Sequence, residues 1–175
     1  MTDRQPVFSR RALLRRAGAA ALAVPATGAS LAAAESATAT AIRAAADTDL
    51  IYLANERADG ALGRCQAEVW FVPLDGEFVV VTDAKSWRVR QARREDSRVR
   101  IWVGDVGRWQ NAKGAWRDLP SISANGRLDA DPAFHEKALA AFGRKYPASW
   151  LLWGPRFRNG LADGSRLLLR YQPLA

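Results

Sequence analysis

The stretch from Thr82 to Arg88 (Thr-Asp-Ala-Lys-Ser-Trp-Arg) is the part of this sequence best equipped for chemistry. Thr82 and Ser86 carry hydroxyls that can donate to an anion, and Arg88 can make a charge-assisted, bidentate contact. A helix starting after Ser86 would add free N–H groups and a partial positive charge, which suits a phosphate. Trp70, Trp87 and Trp102 offer faces that can cover an aromatic ring. Each residue also has a plain structural use. Ser86 can be a helix cap, the run Arg88, Arg90, Arg93 and Arg94 a solvated face, and the tryptophans core. It is the combination that points to a phosphate-bearing aromatic ligand.

The rest of the inventory is sparse. Cys65 is the only cysteine and His135 the only histidine. An intramolecular disulfide and a zinc site of Cys and His ligands are both excluded. A serine–histidine or cysteine–histidine pair requires His135. Cys65 reads as an inert small residue, and His135, early in a helix, as exposed. If the chain is an enzyme, a bound cofactor does the chemistry. Tyr52, Tyr146 and His135 are proton-donor candidates only by elimination.

Strand signals dominate the elements that must position these residues. Leu50–Arg57 and Gln66–Val72 are rich in β-formers, and Phe78–Thr82 follows an Asp75-Gly76 turn, which predicts a hairpin. Ser86–Arg94 reads as a helix capped by Ser86, and Arg98–Val103 alternates as a strand. Trp109–Trp116 suggests a second hairpin, and Ile122–Leu128 a strand with Gly126 at a bulge. Asp131-Pro132 opens a helix with Phe134, Ala138, Leu139 and Phe142 on one face, ending at Gly143–Pro147. Trp150–Trp153 and Ser165–Tyr171 read as last strands around Asp163-Gly164. About seven strands and two helices predict a mainly β protein, an antiparallel barrel closed or nearly so.

Taken as a unit, residues 50–103 resemble the flavin-binding split barrel of the pyridoxamine 5'-phosphate oxidase-like superfamily. The resemblance rests on Val69–Val72, the turn, Phe78–Thr82, Asp83–Arg88, the Arg-rich helix and Val99–Val103, and it extends over most of 48–172. It implies a split β-barrel of the FMN-binding type, with flavin mononucleotide (FMN) or a deazaflavin coenzyme at a homodimer interface. Thr82, Ser86, Trp87 and Arg88 would hold the phosphate, and Trp70, Phe71 and Val72 would flank the ring. The oxidase's basic residues are missing from Gln66–Val72, and its C-terminal substrate pattern from Ser165–Ala175. This implies an oxidoreductase acting on another small substrate. The alternative is a binding barrel that holds flavin, haem or a lipophilic ligand without turnover.

Residues 1–34 contain Arg4, Arg10, Arg11, Arg15 and Arg16, then a soft apolar run from Ala17 to Val24. Ser9–Arg15 resembles the twin-arginine export consensus. This predicts a signal peptide at 1–34, a linker at 35–47 and the barrel domain at 48–175. The apolar run is too short for a stable membrane span. The twin-arginine translocase is then a partner, and the mature protein lies in the periplasm, cell envelope or outside the cell. Removing five arginines and one aspartate takes 26 basic and 18 acidic residues to 21 and 17. The mature charge of +4 argues against a nucleic-acid partner. Replacing Arg10 and Arg11 by Lys is expected to block export. Efficient export of that double variant, followed by cell fractionation, contradicts the signal assignment.

Overall fold

A computed structural model of the chain describes residues 38–174, so the twin-arginine segment lies outside the described residues. Seven strands form one antiparallel sheet: β1 (Leu50–Glu56), β2 (Leu62–Trp70), β3 (Val72–Leu74), β4 (Glu77–Asp83), β5 (Arg98–Val103), β6 (Ser121–Asp129) and β7 (Arg166–Pro173). Their order across the sheet is β2-β1-β5-β6-β7-β4-β3. The two outermost strands, β2 and β3, are consecutive in the chain and separated only by Phe71. A sheet whose edges are joined by one residue has to curl until the edges meet, which closes a barrel. Closure is incomplete. β3 pairs with β4 only over Glu77–Val79, while β4 continues to Asp83 beside β7. Among the described residues, Val80–Asp83 has a strand partner on one side only. A slit lies there between β4 and the end of β2.

Alternation along the strands sorts the side chains between two faces. Phe78 and Val80 point inward with Ile51, Leu53, Ile101, Leu169 and Tyr171. Val79 and Val81 point outward and pack, with Val72 and Leu168, under α3 (Pro132–Lys145) and α4 (Pro147–Ala162). On the outer face of β1 and β5, Tyr52, Ala54 and Trp102 are covered by Trp116 from a 3-10 turn at Ala115–Asp118. The short helix α2 (Trp87–Ala92) sits at one end of the barrel, and Val89 is its buried residue.

Several expectations need correction. The stretch Trp109–Trp116 is not a hairpin. Lys113 and Gly114 both take positive φ (48° and 92°), and the chain folds into turns that drive Trp116 against Trp102, ring centres 4.6 Å apart. Trp150–Trp153 is not a strand but part of α4. Pro155 lacks the amide a helix interior uses, and Gly154 lowers helix propensity, so the local signal was weak. Packing of Trp150, Trp153 and Phe157 prevails. Gln66–Val72 is not one strand, because the chain breaks at Phe71. Gly126 sits within β6 because a Cβ there would lie 2.9 Å from the Tyr171 ring. Residues 38–46, inside the stretch read as a linker, are helical (α1). Alanine is the best helix former, and Ala41 and Ala45 are buried in the barrel core.

The break at Phe71 is held from outside the sheet. The Tyr146 hydroxyl accepts the Phe71 amide at 3.1 Å and shares its proton between the Phe71 carbonyl at 2.7 Å and the Asp49 carbonyl at 2.8 Å. Tyr146→Phe keeps the ring but orphans these groups. It is expected to destabilise the fold by about 1–3 kcal/mol, read from denaturant midpoints at constant slope. A midpoint equal to that of the parent contradicts this role.

Candidate functional site

At the end of β4, Asp83 shapes the loop that carries the sequence-predicted phosphate residues. Its side chain accepts the Lys85 amide at 2.7 Å, and its carbonyl accepts the Ser86 amide at 3.0 Å. Ser86 caps α2 by accepting the Val89 amide at 3.4 Å. The helix is six residues long and its cap is already engaged, so the charge at this place comes from Arg88. The Arg88 Nε and Nη2 groups donate to the Thr82 Oγ1 at 3.0 and 2.6 Å. The Thr82 hydroxyl in turn points at Ser86 Oγ, 3.4 Å away. Thr82, Ser86 and Arg88 therefore converge as the sequence predicts, and Trp87 lies half-buried beside them with Arg88 5.8 Å from its ring centre.

Arg88 is half-buried, and among the described residues it forms no ion pair with a carboxylate. Burial pushes its pKa down, opposed by Tyr171, Asp83 and Glu68. A guanidinium has five N–H donors, and the contacts to Thr82 leave several unused. A partly desolvated cation without a counter-ion is unfavourable, and a bound anion relieves it. Among the described residues the buried Tyr171 hydroxyl has no hydrogen-bond partner. Burial raises its pKa, and Arg88 opposes that rise, which puts the two groups within electrostatic reach.

The slit in the barrel opens on a second feature, a cavity of about 290 Å³. Glu68, Val69 and Trp70 line it from β2, Val81 from β4, Trp153 and Phe157 from α4 and Arg166 from β7. Trp70 stacks on Tyr146 with ring centres 4.8 Å apart and planes 10° from parallel, and Trp153 meets it edge-on at 5.9 Å. Arg166 lies 5.4 Å from the Phe157 ring centre. Glu68 links the two features, since it lines the cleft and also acts on the charge of Arg88. Val81 and Thr82, adjacent in β4, point to opposite faces of the strand, the first to the cleft and the second to Arg88.

Other sequence-predicted residues lie elsewhere. Phe71 and Val72 are 0% and 1% exposed, in the inner and outer cores, and the Phe71 backbone is taken up by Tyr146. The Lys145 ammonium sits 3.5 Å from the Phe71 ring centre, where burial lowers its pKa to about 8 against the pull of Asp49. The Tyr52 hydroxyl donates to the Gly107 carbonyl and accepts the Val106 amide. His135 Nε2 contacts the Asp129 carbonyl at 3.0 Å, and the ring lines a separate cavity with Pro132, Leu139 and Leu161. Sequence reasoning missed Glu68, Trp153, Phe157 and Arg166. Trp150, Trp153 and Phe157 repeat at i, i+3 and i+7, a helical signal obscured by Gly154 and Pro155.

No protein-family model matches the chain, and no curated protein does. Solved structures do. HutZ, a haem storage protein from Vibrio cholerae, is 16% identical, with 76% of this chain and 87% of that one covered and a TM-score of 0.51. A conserved hypothetical protein from Mycobacterium tuberculosis is 17% identical, covers 77% and 78%, and scores 0.52. A haem binding protein from Mycobacterium smegmatis is 15% identical, covers 77% and 50%, and scores 0.50. The chain has the split-barrel fold. At these identities the likeness is one of fold. In this split barrel an aromatic cleft opens at the slit between β2 and β4, and Glu68 in its lining lies within electrostatic reach of Arg88, which forms no ion pair among the described residues. Among the described residues no helix is long and apolar enough to cross a membrane.

Proposed function

We propose that this split barrel is a ligand-binding protein that holds a planar aromatic molecule bearing an anionic group. The anion lies against Arg88, and the ring occupies the cleft of Trp70 and Trp153. One observation carries the reading: among the described residues the half-buried Arg88 has no carboxylate partner, and Glu68, within its electrostatic reach, lines an aromatic cleft. Such a pairing suits ligands that join a phosphate or carboxylate to a conjugated ring.

FMN or a deazaflavin coenzyme meets both requirements. Haem meets them as well, through its carboxylates. The Vibrio and Mycobacterium smegmatis neighbours are described as haem storage and haem binding proteins, which supports binding over turnover. The lining of this cleft favours a flavin over haem, because the only histidine lines the other cavity. A bound flavin supplies electron-transfer chemistry, while the chain binds and orients it. Tyr52, Tyr146 and His135 already hold backbone groups. That favours a binding protein over the small-substrate oxidoreductase that the resemblance implies. The mature protein is further proposed to be an exported homodimer, on the strength of the twin-arginine segment and the family resemblance.

The test is a fluorescence titration of the purified protein with FMN and, separately, an absorbance titration with haemin. Arg88→Ala is expected to weaken FMN binding by roughly 1.5–3 kcal/mol, the range for a hydrogen bond to a charged group. An unchanged affinity makes Arg88 a structural cation and removes the proposal.

A further inference from the structure

Helix α4 exposes the two barest large apolar side chains of the described residues. Leu151 is 86% exposed and Leu152 57%. Both stand clear of the fold because the flanking tryptophans are anchored beneath them. Trp150 stacks on Phe142 and packs against Gly143 and Gly154, and Trp153 meets Trp70 and Phe157. Nothing within the described fold covers the leucine pair.

Charge identifies what covers it. From Lys137 to Ala162 the sequence has five cations and no acid. Lys137 and Arg158 are paired with Asp75 and Glu136. Arg144 and Arg156 are exposed and form no ion pair among the described residues. Arg156 lies one helical turn beyond Leu152 on the same face, with its guanidinium 4.9 Å from the Trp153 ring centre. A second copy of the chain docked here about a twofold axis would set these arginines against their own kind. An anionic lipid surface offers opposite charge outside and apolar chains just below it. Arginine beside exposed leucine matches that boundary.

We propose that α4 is a peripheral docking edge for an anionic phospholipid bilayer. Leu151 and Leu152 enter the boundary between headgroups and acyl chains, and Arg144 and Arg156 lie on lipid phosphates. The helix lies on the membrane and does not cross it. This inference is independent of the ligand in the Trp70 cleft.

The full chain is sedimented with vesicles of phosphatidylcholine, with and without phosphatidylglycerol, at low and high salt. Binding is expected only with phosphatidylglycerol and is expected to weaken as salt rises. The Leu151→Ser, Leu152→Ser double variant should bind at least about tenfold more weakly, and Arg156→Gln about fivefold. Both changes are on the surface, so melting temperature should not move. Residues 1–34 are common to all variants, so their arginines contribute equally throughout. Equal binding by parent and leucine variant overturns the proposal, as does a parent that ignores phosphatidylglycerol. A parent that elutes as an oligomer and dissociates in the leucine variant overturns it too, in favour of a second copy as the occupant.

Discussion

Between β2 and β3 the chain leaves one half of the barrel and enters the other at a single residue, Phe71. The Tyr146 hydroxyl holds that residue by its amide and its carbonyl. Much of the architecture depends on this contact. Phe71 turns inward while Trp70 and Val72 on either side turn outward, so the same bracket fills the barrel and aims Trp70 at the cleft. The Tyr146 ring then backs Trp70 in a near-parallel stack. Because Tyr146 joins α3 to α4, the two helices covering the outer face are tied to the closure of the sheet.

The two buried carboxylates among the described residues are each paired with a guanidinium. Buried Glu56 is met by Arg100, and buried Glu77 by both Arg127 and Arg170. Arg170 also reaches Asp129 at 3.1 Å. In these places a carboxylate taken out of water has a guanidinium to offset its desolvation. Arg88 is partly taken out of water too, but it meets a hydroxyl of the chain instead of a carboxylate. Structural pairing explains the first set and leaves the second open to a ligand.

Local rules made part of this legible. The Asp75-Gly76 turn takes positive φ at both residues, 53° and 78°, as a tight hairpin requires. Ser86 and Asp131 cap their helices as their chemistry predicts. β5 spans the alternating residues read for it. Thr82, Ser86 and Arg88 are close in sequence, so their convergence could be read locally. What escaped were effects of distance. The break at Phe71 is set by a residue 75 positions away. α4 is stabilised by aromatic packing that overrides Gly154 and Pro155, and without that helix the wall formed by Trp153 and Phe157 could not be seen. The alanines of α1 carry no amphipathic contrast, yet two of them pack inside the barrel.

Comparing riboflavin with FMN on the parent protein tests the central claim most directly. The two share a ring and differ by the phosphate. If Arg88 is an open anion site beside the cleft, FMN should bind at least about tenfold more tightly, as a charged hydrogen bond requires. Equal affinities, or no binding of either, would contradict the account.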